Sequence, residues 1–211
     1  MFKLISATPS PYARKIRIAL AEKHLPFELI TEVPWHAETQ TPKHNPLEKL
    51  PVLILEDGSS IYESSYILEY LELKYPQVPL LPEDVGGILA AKKLDVLCNG
   101  VCDALVLLFF ERMRTEGRAS AEWMARQQRK IAGGMREIAR LIGKREYAVS
   151  ERFTIGDIAA ATVAGYVSVR YPEMKWREDY PDLAAYSTRM EQRPSLMNSV
   201  PVPQQILQKV V

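Results

Sequence analysis

The spacing of apolar positions changes character once along the chain. Up to Tyr75 the apolar runs are short and alternate in type: Phe2 to Ser6 reads as a buried strand, Pro11 to Lys23 as a helix, and Phe27 to Thr31 as a second strand. Only a helix-length connection separates the two strands, so they are predicted to lie parallel with a right-handed crossover. Val52 to Leu55 and Ser60 to Tyr62 flank the turn Glu56-Asp57-Gly58-Ser59, where Asp-Gly favours a two-residue primed turn and hence an antiparallel hairpin. From Ser64 the positions Ile67, Tyr70, Leu71 and Tyr75 keep helical spacing until Pro76 ends it. The order βαβ, an irregular stretch, then ββα predicts a small four-stranded sheet with helices packed on it.

Pro76, Pro79 and Pro82 crowd the stretch Gln77 to Asp84, which reads as a linker, and beyond it strand signals vanish. Ile88 to Glu116 and Ala121 to Ile142 are long helical patterns, and Ile155, Ile158, Ala159, Thr162, Val163 and Tyr166 follow the spacing of a buried helix face. Two domains are expected, residues 1–78 with the sheet and residues 85–211 all-α. Thr154-Ile155-Gly156-Asp157 has the form of a capping box, threonine satisfying a free N–H and aspartate reaching back. Gly133 and Gly134 inside a helical pattern cost about 1 kcal/mol each against alanine, which a close helix contact would explain.

Composition narrows the class. Of 211 residues 47% are hydrophobic and 25% charged, as in folded globular proteins, and 27 basic side chains against 26 acidic ones leave a net charge of +1. Neither nucleic acid nor an anionic membrane is expected as a partner, since either favours a basic excess. Two cysteines do not make a disulfide scaffold, and Met1-Phe2-Lys3-Leu4-Ile5-Ser6 lacks the apolar core of a signal peptide, so a cytoplasmic location is expected. The uncharged stretch Ile158 to Val169 is well short of the roughly 18 residues that would span a bilayer.

Three junctions carry candidate chemistry. In Thr8-Pro9-Ser10-Pro11-Tyr12, Pro11 suits the first helical position, which makes Ser10 the N-cap and sets a hydroxyl at the positive end of a helix beside free N–H donors. A plain cap and a corner for an anion both fit these residues. In Asn45-Pro46-Leu47-Glu48-Lys49-Leu50-Pro51-Val52, proline forces Leu50 extended, leaving its N–H and C=O for an added peptide strand or for an ordinary loop-to-strand turn. In Ile61-Tyr62-Glu63-Ser64-Ser65, the N–H groups of Ser64 and Ser65 and the Ser64 hydroxyl suit a carboxylate and Glu63 suits an ammonium, though such residues are also ordinary helix starts.

Together these motifs resemble the glutathione transferase superfamily, and bacterial serine-type members in particular: a Ser-Pro helix start after the first strand, an Asn-Pro-x-x-Lys-x-Pro-Val run, an acid-Ser pair opening a helix, and a Thr-Ile-x-Asp box in an α domain. The resemblance covers nearly the whole chain. It implies a thioredoxin-like N-terminal domain, an all-helical C-terminal domain, a homodimer, and glutathione as co-substrate on the first domain, with no metal. It further implies that Ser10 hydrogen-bonds the glutathione sulfur, with Thr8 as the alternative hydroxyl. Leu50, before a proline that is cis in the family, would pair with the cysteinyl part, and Glu63 and Ser64 would hold the γ-glutamyl end. Lys49 and His36 are candidates for the glycine carboxylate. A free thiol near pKa 8.5 is only about 3% ionised at pH 7, and lowering it by about two units takes about 2.7 kcal/mol.

No cysteine lies near Ser10, which argues against mixed-disulfide chemistry, and the Ser-Ser-Cys start of the maleylacetoacetate isomerases is missing. Cys98 and Cys102, one turn apart, are expected as buried thiols, and His24, His36 and His44 are scattered. Asp103 is a candidate for a partner subunit's glutathione amine, or for an acid that is solvated or paired with Arg112 or another neighbouring base. Tyr12, Trp35, Leu105, Phe109 and Tyr166 are candidates for apolar contact with a small hydrophobic electrophile, or for core. The expected activity is conjugation of the glutathione thiolate to such an electrophile; a binding or regulatory module that keeps the fold without turnover is the alternative.

Overall fold

The computed structural model describes residues 1–115 and 117–206, which separate into two compact units. In the first, strand β1 (Phe2–Ser6) buries all but Lys3 and sits between β2 (Phe27–Thr31) and β3 (Val52–Ile54), with β4 (Ser60–Ile61) at the far edge, in the order β2-β1-β3-β4. As the crossover predicts, β1 and β2 are parallel, from Phe2 opposite Phe27 to Ser6 opposite Thr31. β3 runs antiparallel to both β1 and β4, with Ile5 opposite Val52 and Leu53 opposite Ile61.

The hairpin turn differs from the predicted primed turn. Gly58 N–H donates to Leu55 O at 3.1 Å, Leu55 N–H to Ser59 O at 2.8 Å, and Gly58 alone in the turn has positive φ, +84°. This is a three-residue loop with a glycine bulge, and the Asp57 carboxylate locks it by accepting the Ser59 N–H and hydroxyl at 2.9 and 2.6 Å.

Helix α1 (Pro11–Glu22) buries Ala13, Ile16, Ala19 and Leu20, and packs against α2 (Ser64–Lys74), whose Ile67, Leu68 and Leu71 are buried. Lys23 closes this layer: its buried ammonium pairs with Glu72 at 2.7 Å and donates to the carbonyls of Tyr75 and Val78, both at 2.9 Å.

Residues 85–211 were expected as one helical domain, but among the described residues 192–206 belong with the first unit. Glu22 accounts for it, receiving Arg193 at 2.8 Å and the Ser195 hydroxyl. The short helix that follows lies on α1, where Arg14 donates to Leu196 O at 3.4 Å and Arg17 to Asn198 O at 2.8 Å.

The second unit, Pro82–Glu191 among its described residues, is all-helical. Helix α3 (Val85–Arg112) packs on α4 (Ala121–Ile142) and α5 (Ile155–Arg170), with α6 (Trp176–Asp179) and α7 (Pro181–Met190) following. α3 starts about one turn before the predicted Ile88 because Asp84 caps it through the Gly87 N–H at 2.7 Å. It ends at Arg112; Glu116, the predicted end, lies outside the described residues.

Only one of the paired glycines is a packing requirement. A Cβ on Gly134 would stand 2.2 Å from Val101 Cγ2, whereas one on Gly133 meets nothing within 4 Å. The capping box forms, and Asp157 does more than cap: besides the Thr154 N–H at 2.8 Å, its carboxylate accepts the Ala148 N–H at 2.8 Å and the Tyr186 hydroxyl at 2.6 Å. Cys98 and Cys102 are buried free thiols, and no helix among the described residues is long and apolar enough to cross a membrane.

Candidate functional site

Strand directions gather the three candidate junctions at one end of the sheet. β1 ends where antiparallel β3 begins, and β4, antiparallel to β3, ends there too. Thr8 to Ser10 therefore leaves the same sheet end at which Lys49 and Leu50 arrive and from which Glu63 and Ser64 depart. An apolar cluster ties these segments together: Ala7 and Leu50 are buried in it with Ile5 and Val52, and Tyr62 packs against it.

Ser10 is the N-cap of α1 with extended backbone, φ −62° and ψ 119°, and Pro11 takes the first helical position. Its hydroxyl oxygen accepts the Ala13 N–H at 3.2 Å, and its own N–H donates to Ala7 O at 3.0 Å. Accepting through oxygen leaves the O–H proton to be given to a ligand, so the group can stabilise an anion while still capping its helix. Ser10 and Thr8 are both half-buried.

Leu50 precedes a cis peptide bond to Pro51, and Pro51 leads into β3. Among the described residues no hydrogen bond engages the Leu50 main chain. The approach to it is fixed by Asn45, buried to 1% exposure, whose side chain donates to Lys49 O at 2.8 Å and accepts the Leu47 N–H at 2.9 Å. The Lys49 side chain is exposed.

Glu63 rather than Ser64 is the N-cap of α2, after a cis Tyr62–Glu63 bond. Its exposed carboxylate accepts the Ser65 N–H at 2.7 Å and the Tyr66 N–H at 3.1 Å through one oxygen. The Ser65 N–H, expected for a ligand carboxylate, is thus occupied by the chain itself. Ser64, at the first helical position and 2% exposed, keeps the hydroxyl expected of it.

The end of β2 brings a fourth segment to the same sheet end, and its organiser escaped the sequence reading. One oxygen of Glu32 accepts the Thr41 hydroxyl at 2.8 Å, the Gln40 and Thr41 N–H groups at 3.1 and 3.2 Å, and the Thr39 hydroxyl. Desolvation raises its pKa, but these four donors outweigh that and hold Glu32 below the ordinary carboxylate range. Trp35 and His36 lie on the loop so closed. No short motif announces a carboxylate whose partners lie seven to nine residues away.

Other candidates fall elsewhere. Leu105 is fully buried core of the helical unit, and Tyr166 keeps 5% of its surface exposed. Arg112 pairs with Glu173 at 2.7 Å rather than with Asp103. Among the described residues no three His, Cys, Asp or Glu side chains gather as a metal site would need.

Comparison with known proteins adds to this geometry. Residues 9–74 match the glutathione S-transferase N-terminal domain and residues 121–189 the C-terminal domain of the same family. An uncharacterised GST-like protein of Escherichia coli, YibF, is 32% identical over 94% of this chain and 98% of its own length. A glutathione S-transferase of Methylobacterium radiotolerans, solved with glutathione sulfonate, is 64% identical, covers 100% of this chain and 99% of its own, and superposes with a TM-score of 0.98. A glutathione S-transferase of Methylobacillus flagellatus with glutathione bound is 37% identical over 96% of this chain and 100% of its own, with a TM-score of 0.91. With its thioredoxin-like first unit and helical second unit, this chain belongs to the glutathione S-transferase family.

Proposed function

We propose that the first unit binds glutathione, that Ser10 holds its sulfur as thiolate, and that the chain is a transferase conjugating it to small hydrophobic electrophiles. The observation that carries this reading is the meeting of a helix-capping hydroxyl, an unengaged extended main chain and a serine-acid helix start at one sheet end. The residues present suit the tripeptide. Leu50 offers a peptide N–H and C=O, Ser64 a hydroxyl for the γ-glutamyl carboxylate, and the second oxygen of Glu63 a partner for its ammonium. Lys49, exposed beside Leu50, is assigned to the glycine carboxylate. The relatives solved with glutathione or its sulfonate support glutathione as the ligand.

Glutathione supplies the nucleophile: its thiol proton leaves to solvent, sulfur forms a bond to the electrophilic carbon, and the leaving group departs with its bonding pair. Ser10 donates its O–H to the thiolate while the Ala13 N–H polarises its oxygen, and the positive end of α1 favours the charge. Ser10 so acts as an electrostatic stabiliser, and it need not remove the proton. We assign this contact to Ser10 and keep Thr8 in the supporting shell of the site.

A homodimer is part of the proposal, supported by the large apolar side chains exposed along α2 and α3: Tyr66, Leu73, Leu89, Val96 and Leu107. The buried free thiols suit the reducing cytoplasm.

The test is a melting curve with millimolar glutathione, then chloride release from 1-chloro-2,4-dinitrobenzene by wild type and Ser10→Ala. Glutathione should raise the melting temperature, and Ser10→Ala should lower kcat/KM at pH 7 by about ten- to thirty-fold, as the thiol returns toward its ordinary pKa. Activity untouched by Ser10→Ala passes the role to Thr8. Binding without turnover favours a regulatory module of the same fold, and no thermal shift sinks both readings.

A further inference from the structure

Near the end of α3 and α5 two arginines lie within the helical unit in opposite circumstances. Arg112 has its charge matched by Glu173 at 2.7 Å and its guanidinium over the Tyr171 ring, 4.9 Å from the centroid. Arg170 has no such match: among the described residues no carboxylate pairs with it. Its Nε is buried with no hydrogen-bond partner, while its guanidinium lies over Phe109 at 4.3 Å from the ring centroid. Buried polar atoms nearly always find partners, so an orphaned N–H on a positively charged fork points to a ligand that completes it.

The surroundings suit one class of ligand. Tyr166 precedes Arg170 by one turn of α5, so the phenol and the guanidinium lie on one helix face. The Tyr166 O–H is a second donor for a ligand oxygen. Burial raises the Tyr166 pKa, which keeps that hydroxyl protonated at neutral pH. Tyr171, next along the chain, is pinned by its hydroxyl to Leu105 O at 2.5 Å, which holds the end of α5 against α3. Arg170 and Phe109 are each half-buried, so the stacked pair is reachable from solvent. A planar fork on an aromatic face with a neighbouring phenol donor matches a carboxylate carried on a flat apolar body.

We infer that Arg170, stacked on Phe109, and Tyr166, one turn earlier on α5, form a carboxylate-recognition site on the helical unit whose ligand is an aromatic or unsaturated acid.

The experiment titrates the uniformly 15N-labelled full chain with 4-chloro-3-nitrobenzoate and, separately, with 4-chloro-3-nitrobenzamide, following the Arg170 Nε–H resonance assigned through Arg170→Lys. The benzoate should move that resonance and bind at least about ten-fold more tightly than the benzamide. Arg170→Met should reduce the preference to less than about two-fold, Arg170→Lys should keep part of it, and Tyr166→Phe should weaken the benzoate alone. Equal affinities for the two compounds, or a benzoate preference that survives in folded Arg170→Met, overturns the site. Should Arg170→Met fail to fold, the wild-type resonance and Arg170→Lys decide: an unmoved Nε–H, or a full preference in the lysine variant, is equally fatal. Failure of the transferase reading looks different, as no thermal response to glutathione and no chloride release while the benzoate still binds at Arg170.

Discussion

Single carboxylates do much of the ordering around the proposed site. Glu32 collects four donors on one oxygen and thereby closes the segment that follows β2; Glu63 spends one oxygen on two N–H groups of its own helix. Glu32→Gln should therefore destabilise the protein by about 1–3 kcal/mol at pH 7, the usual range for losing hydrogen bonds to a charged acceptor, measurable by urea unfolding. Its folded pKa lies below the unfolded value, so the stabilisation is complete above the unfolded pKa near 4.3 and disappears as pH falls through the folded pKa. Wild type should lose more stability than Glu32→Gln between pH 6 and pH 3. An equal loss in both proteins would show that the carboxylate does not carry this dependence. Neither this role of Glu32 nor the occupancy of the Ser65 N–H was legible in the sequence, because each depends on where a loop places a side chain. The Ser10 cap was legible, because Pro11 and the preceding strand specify it locally.

At the level of elements, the same residue type carries two unlike roles in neighbouring positions. Gly134 lets α4 approach Val101 of α3 more closely than any side chain permits, while Gly133 faces open space. Gly134→Ala should cost about 1–3 kcal/mol through overpacking against a stiff, buried valine, whereas Gly133→Ala should be neutral or stabilise by up to about 1 kcal/mol through helix propensity. Thermal melts of the two variants should move in opposite directions; a common direction would mean that α3 and α4 do not meet at this point. Periodicity marked both helices and gave Ala121 to Ile142 its observed bounds, yet it could not tell the two glycines apart. Helix phase relative to a partner is a property of packing. The hairpin teaches a similar lesson: Asp-Gly identified the reversal, and the Asp57 contacts to Ser59 selected the longer loop.

For the whole molecule, the division into a sheet-bearing unit and a helical unit followed from the change in apolar period and from the proline-rich stretch, within which the boundary between Leu81 and Pro82 falls. The return of the chain from Gln192 to the first unit did not, since it depends on Glu22 meeting Arg193 and Ser195 across more than 170 positions of sequence. Removing everything after Glu191 should take the Leu196 carbonyl from Arg14 and the Asn198 carbonyl from Arg17. At about 1.5–3 kcal/mol for each charged hydrogen bond, the loss is about 3 kcal/mol or more, or roughly 6 °C or more in melting temperature. A truncated chain that melts with the full-length one would show that the return segment contributes nothing to the first unit.

Because Ala7, Leu50 and Tyr62 share one packed hydrocarbon cluster, the intervals between Ser10, Leu50 and Ser64 are those of a rigid gauge. A thiol compound is then judged by its span. On the proposed assignment free cysteine would reach only the marks at Ser10 and Leu50, so abundant thiols without a γ-glutamyl group would compete poorly with one long enough to reach Ser64 as well.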